Sequence, residues 1–276
     1  MVLDDPRRYA ARVVSFLPAF RWLPQTSFHG WFDVTDAAAP HSNLAPYRIG
    51  LRAARANLIP GLCVQAVMVT LVVVYYAVPS MRGAFDQLAN FRQRRGIWFA
   101  IVSAALAGGV LPELLRIVFF QGGRWTRDNR ASLVLGVLFW GFAGAYADGL
   151  YQLQAWMFGV RTDVGTIALK VVVDQFVSNV VWSAPVSTIL YDWKNHGFRG
   201  PIGHYFTAAY YKSHVIPVLL ATWGVWIPLV IIIYALPLAL QVPIFSLALT
   251  FWVLLLTWMS EQQSRMPRIL REAPAV

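Results

Sequence analysis

Of the 276 residues, 58% are hydrophobic and only 13% are charged, against about a quarter charged in a soluble globular domain. The formal net charge is +10, but the basic residues stand at the edges of long apolar segments and form no polar module of their own. That distribution excludes nucleic acid as the partner and points to lipid head groups. The single cysteine, Cys63, lies in an apolar stretch and excludes an intramolecular disulfide.

Residues 1–55 form a mixed polar and aromatic region with Pro18, Pro24, Pro40 and Pro46, expected to be a cytoplasmic or interfacial arm. Within it, Arg12 to Trp22 offers Val13, Val14, Phe16 and Leu17 to a membrane surface. No signal-peptide core precedes Arg21, and Asp4 and Asp5 argue against a mitochondrial transit segment. The next stretch, Ala56 to Met81, has 26 residues without Asp, Glu, Lys or Arg, and Ser213 to Ser260 has 48. About 20 apolar residues cross about 30 Å of hydrocarbon as a helix, so the longer stretch holds two spans.

The predicted fold class is an all-α polytopic transmembrane helix bundle of about six spans, within residues 56–262. The spans are expected at about 58–78, 97–120, 133–158, 164–190, 215–238 and 242–259, with a break near Gln241 and Pro243 and a short tail over 263–276. Orientation follows from Lys and Arg. With the N-terminus inside, the inner segments carry Arg48, Arg52, Arg55, Arg124, Arg127, Arg130, Lys194, Arg199, Lys212, Arg265, Arg268 and Arg271, which is twelve. The outer loops carry Arg82, Arg92, Arg94, Arg95 and Arg161, which is five. Both termini are therefore expected in the cytoplasm, although the first outer loop is itself basic.

Small residues recur every fourth position at Ala100, Ala104 and Gly108, and again at Gly141, Ala145 and Gly149. This spacing lets helix backbones approach closely. Trp98, Trp223 and Trp258 suit the aromatic belts at the membrane surfaces. No internal repeat is visible.

Ionisable residues inside lipid are costly, by about 2.5 to 3.5 kcal/mol each on insertion scales. Lys170 and Asp174 are four apart and are expected to pair, and Glu113 with Arg116, three apart, likewise. Asp148 has no partner within one turn and requires one from another helix, a proton or water. These groups either line a polar path through the bundle or act as structural ion pairs that fix helix packing. Pro217, Pro228 and Pro237 fall in the fifth predicted span, where Pro228 and Pro237 are hinge or kink candidates.

The spacings between His196, His204 and His214 do not suit a metal site on a helix, and no phosphate loop or nucleophile elbow is present. No cofactor, metal or catalytic residue is expected. A membrane-embedded enzyme would need His196, His204 or Asp192 at an inner cleft.

The segment KVVVDQ, with Lys170, Asp174 and Gln175, resembles the Lys-x-x-x-Asp-Gln element of the Mpv-seventeen family. That family includes the twenty-two-kilodalton peroxisomal membrane protein and mitochondrial inner-membrane relatives. Trp223, Trp226, Pro228, Pro237 and Trp252 resemble its Trp-rich closing motif, and Gly144 and Tyr151 persist from its earlier Gly-Pro element. There Ala145, Asp148 and Leu150 replace the family's Pro, His and Trp. The resemblance covers somewhat under half the chain. It implies a channel or pore for small solutes, with Lys170, Asp174, Gln175, Asp148 and Tyr151 on its polar path. The partners expected are the lipid bilayer and an unspecified solute, with homo-oligomerisation left open. The Arg- and Ala-rich composition favours a bacterial cytoplasmic membrane over an organelle membrane. The competing expectation is a structural or partner-binding membrane protein without transport.

Overall fold

A computed structural model describes residues 46–199 and 201–264. The proposed interfacial segment from Arg12 to Trp22 and the tail beyond 264 lie outside the described residues, as does the side chain of Trp258. Among the described residues there is no strand, and six helices are long and apolar enough to cross a membrane.

An amphipathic helix, α1 (Pro46–Ala56), leads into α2 (Leu58–Ala77), the first span. The segment expected as an outer loop is itself helical: α3 (Pro79–Arg95) starts with Pro79 in its first turn, where the missing N–H has no partner to lose. It ends at Gly96, whose φ of 56° lies in the left-handed region and turns the chain back into α4 (Ile97–Phe120). Arg92, Arg94 and Arg95 occupy the last turn of α3, where basic groups favour the helix dipole. Phe85 anchors the helix to the bundle, edge-on to Tyr75 at 5.4 Å.

Within α4, Pro112 removes one intrahelical bond, and π-turns at Ala105–Val110 and Arg116–Phe120 flank it. Span three, α5 (Arg127–Phe158), starts six residues before the predicted position. The reason is a capping box in which the Thr126 hydroxyl and the Asn129 amide oxygen each accept from the other's backbone N–H, at 3.3 and 2.9 Å. Asn129 also donates to Glu113 at 2.8 Å, beside the expected Arg116–Glu113 pair at 3.1 Å.

Span four, α6 (Val164–Lys194), runs four residues past its predicted end. Span five, α7 (Ala208–Tyr234), begins seven residues early, with Thr207 capping Tyr210. The break before α8 (Leu238–Ser264) falls at residues 235–237, which corrects the prediction of a break near Gln241 and Pro243. Pro243 sits inside α8, and Gln241 donates back to the Leu236 carbonyl at 3.1 Å, closing the turn it was expected to occupy.

Gly109 meets Gly136 while Ala100 meets Gly144, so α4 and α5 run antiparallel. Tyr146 meets Ser178 while Ser132 meets Lys194, so α5 and α6 do likewise. Tyr76 reaches the Ala235 carbonyl at the shared end of α2 and α7. The inner end of the bundle is the one expected in the cytoplasm from the Lys and Arg distribution. Spans α7 and α8 are the most enclosed. They carry the centre of the core, including Leu229, Ile233, Leu249 and Trp252.

The α4–α5 contact is backbone-close, and its residues only partly match the predicted stripe. Ala100 and Ala104 are buried in it as expected, but Gly149 faces open space. The contact on α5 runs through Gly136, Gly141 and Gly144. A Cβ on Gly109 would stand 2.7 Å from the Gly136 carbonyl carbon, and one on Gly144 would enter the Ala100 carbonyl. Gly144→Val should therefore lower stability by about 1–3 kcal/mol, as overpacking of a close contact does, while Gly149→Ala should be neutral. Thermal unfolding of the two variants in detergent checks the contrast.

Candidate functional site

Helices α5 and α6 follow one another in sequence across a connection at 159–163. From Tyr146 onward to the far end they meet through side chains, at Tyr146–Ser178, Phe139–Tyr191 and Ser132–Lys194. At that connection Asp163 caps α6, accepting from the Thr166 N–H at 3.2 Å and its hydroxyl at 2.8 Å. Those two bonds, ahead of the neighbouring Arg161, hold the Asp163 carboxyl below the usual carboxylate range.

Beyond Val172, α6 winds as a π-helix from Val173 to Ser183. Wider i→i+5 turns are rare and frequently accompany functional sites. Here they bring Asp174, Ser178, Asn179 and Ser183 to one side, continued by Ser187 in the following α-helical turn. These polar residues line a cavity of about 180 Å³. Phe139, Tyr146 and Tyr151 of α5 form the facing wall, Thr222 and Trp226 of α7 the back, and Phe245 of α8 closes one end. Single side-chain rungs cross the gap. Tyr146 and Ser178 share a hydroxyl hydrogen bond of 2.7 Å, Tyr146 stacks on Trp182 at 5.9 Å, and Lys194 donates to Ser132 at 3.0 Å.

Asp174 is the buried centre of the polar set. One carboxylate oxygen accepts from the Tyr234 hydroxyl at 2.6 Å and the other from the Gln175 amide at 2.7 Å. Gln175 is held in turn by Asn179 at its side-chain oxygen, and its backbone carbonyl accepts from Trp223 Nε1 at 3.2 Å. Tyr151 meets the Tyr234 ring edge-on at 5.4 Å. Gln154 is fully buried next to Tyr234, and neither of its amide atoms meets hydrogen-bond geometry. Because Tyr234 is the last residue of α7, this cluster lies at the level of the outer turn at 235–237. From Asp174 to Ser187 the polar line then runs inward along α6.

The expected Lys170–Asp174 ion pair does not form. Lys170 is 2% exposed, and its ammonium lies 5.9 Å from the centroid of the Tyr234 ring. A long side chain on a helix leans toward the N-terminus, away from a residue four later, and the Tyr234 hydroxyl takes the carboxylate instead.

Asp148 finds its partner on another helix, as its isolation required. Arg92 of α3 pairs with one carboxylate oxygen, and Gln152 donates to the other at 2.6 Å. This pair does not line the cavity, whose wall carries Asp174, Gln175 and Tyr151 but neither Asp148 nor Lys170.

Pro228 lies inside α7, whereas Pro237 stands in the turn, which removes it as a hinge within span five. The carbonyl that Pro228 deprives of its helical partner is that of Gly224. Gln65 of α2 donates to it at 3.4 Å and to the Val225 carbonyl at 3.1 Å. That cross-helix bond gives the kink a packing role.

At the inner end Asp192 accepts from Tyr210 at 3.2 Å and lies 3.4 Å from His196, while His214 stacks on Tyr210 at 4.4 Å. Among the described residues no group of three or more His, Cys, Asp or Glu is placed to hold a metal ion.

Tyr234, Gln154, Tyr146 and Arg92 were not singled out from the sequence. A tyrosine near a span end reads as part of an aromatic belt, and an arginine in a loop reads as a surface charge. The polar line was visible in principle, since Ser178, Asn179, Ser183 and Ser187 recur at four to five residues on the span that carries Asp174.

The fold and the cavity define the class: a multi-pass helical membrane protein with a partly open cavity, walled mostly by apolar and aromatic side chains and carrying a polar edge on α6. No family model, curated protein or solved structure matches the chain.

Tyr234→Phe should cost about 1–3 kcal/mol, because it leaves a buried carboxylate short of a donor. Arg92→Ala should cost about 3–5 kcal/mol by leaving Asp148 uncompensated, and Arg92→Leu combined with Asp148→Leu should recover most of it. Unfolding midpoints of the purified variants measure both.

Proposed function

We propose that this protein passes small polar solutes across a membrane, along the cavity between α5 and α6. The observation that carries this reading is the side on which the polar residues of α6 stand. Asp174, Ser178, Asn179 and Ser183 line the cavity, while Val177 and Val181 on the same helix are exposed toward lipid. Uncompensated polar groups in hydrocarbon are costly, and in membrane proteins they mark solute pathways. The gap they face is spanned by isolated rungs such as Tyr146–Ser178, which a moving solute can displace one at a time.

The resemblance to the Mpv-seventeen family supports the same reading, because two residues that carry it, Asp174 and Gln175, stand on the cavity wall. The proposed setting is a bacterial cytoplasmic membrane with both termini inside. A scaffold without transport is the second reading. The Arg92–Asp148 pair favours it, since that pair joins α3 to α5 and contributes nothing to the cavity.

Liposomes carrying the purified protein should swell in isotonic glycerol and erythritol faster than empty liposomes. Ser183→Leu, which fills the line with an apolar side chain, should remove most of that difference without changing the unfolding midpoint. Folded protein that leaves swelling at the empty-liposome rate would favour the scaffold.

A further inference from the structure

The chemistry of the cavity wall narrows the solute, and this step rests on the passage proposed above. We infer that the cavity accepts an organic cation: an amine or quaternary ammonium group on a compact apolar body.

Charge is the first argument. Asp174 is the only formally charged residue on the wall, and no Lys, Arg or His lines it among the described residues. Its two oxygens each accept one hydrogen bond, both from uncharged donors. A carboxylate offers about four acceptor positions, so further positions remain for a cationic ligand. Lys170, the nearest base along α6, does not pair with it.

The aromatic content is the second. Tyr146, Tyr151, Trp182 and Trp226 stand around the same space. The faces of such rings attract a cation, tryptophan most strongly, and the attraction grows when water is excluded. A carboxylate on the wall of a cavity rich in aromatic rings suits an alkylated ammonium group.

Other solute classes fit less well. A phosphate or carboxylate would meet Asp174 with no basic group on the wall to offset the repulsion. A bare Ca²⁺ ion takes six to eight oxygen ligands, whereas the oxygens here are strung along α6 with aromatic rings opposite. An uncharged polyol can pass and can donate a hydrogen bond to Asp174, but it does not offset that residue's charge. Access also suits an amphiphile, because Phe142 and Trp182 at the rim are 53% and 41% exposed toward lipid.

The test compares two probes of one shape. Benzyltrimethylammonium and its uncharged carbon isostere, neopentylbenzene, are titrated by calorimetry into the full-length protein in maltoside detergent. The ammonium probe should bind at least about tenfold more tightly than the isostere. Asp174→Asn keeps an acceptor for Tyr234 and should abolish that preference. Trp182→Leu, at a lipid-exposed position, should weaken the ammonium probe alone.

Equal binding of the two probes, or an ammonium preference that survives in Asp174→Asn, overturns the inference. So does the absence of ammonium binding to protein whose unfolding midpoint is unchanged. Erythritol swelling of liposomes made with the same purified protein separates the two levels. Swelling without ammonium preference sinks the cation assignment and leaves the passage standing. Ammonium preference without swelling upholds the cation site and removes the passage.

Discussion

A buried carboxylate in a membrane bundle has to be supplied with donors, and three helices of this protein are arranged around that requirement. Asp174 projects from α6, Tyr234 reaches it from the last turn of α7, and Tyr151 of α5 packs edge-on against the tyrosine that does so. The carboxylate is hydrogen-bonded but not ion-paired, which is unusual for so buried an acid. Its bond to Tyr234 ties α6 to the last turn of α7 at one end of the cavity.

Two kinds of helix contact sit side by side on α5, and their difference creates the cavity. Toward α4, Gly109, Gly136 and Gly144 let the backbones touch, and dispersion over the whole length holds the pair. Toward α6, Phe139, Tyr146 and Leu150 are too large for such an approach, so the helices stay apart and meet only through ring and hydroxyl contacts. The π-helical stretch of α6 belongs to the same design, since its wider turns present polar side chains to the space that the bulky residues keep open.

On the other side of the bundle, α3 explains a feature that charge counting alone leaves awkward. A basic outer loop works against the usual distribution of Lys and Arg. Once Arg92 is turned inward to Asp148, one of those charges is neutralised inside the protein, and the helix that carries it is pinned across the outer ends of the spans. The ion pair therefore serves the position of α3, and the cavity on the far side of α5 is chemically independent of it.

The spans were legible in the sequence because their signal is local. A run of uncharged residues long enough for the hydrocarbon is a property of the run itself, so the second span, 97–120, was located to the residue. Boundaries failed where local cues were ambiguous. Pro243 looks like a break but is carried inside α8, and the polar start of α7 looks like a loop although Thr207 caps it into a helix. The need of Asp148 for a distant partner was also legible, but the identity of that partner was not. Lys170 and Asp174 have the spacing of a pair, yet the carboxylate bonds to a residue sixty positions away in sequence. By itself, the sequence determined that this chain is a six-span helical membrane protein and that Asp174 is costly to bury. Only the tertiary structure decided which groups meet that cost and which helix pair stays open, because both depend on side-chain volume and reach between segments distant in sequence.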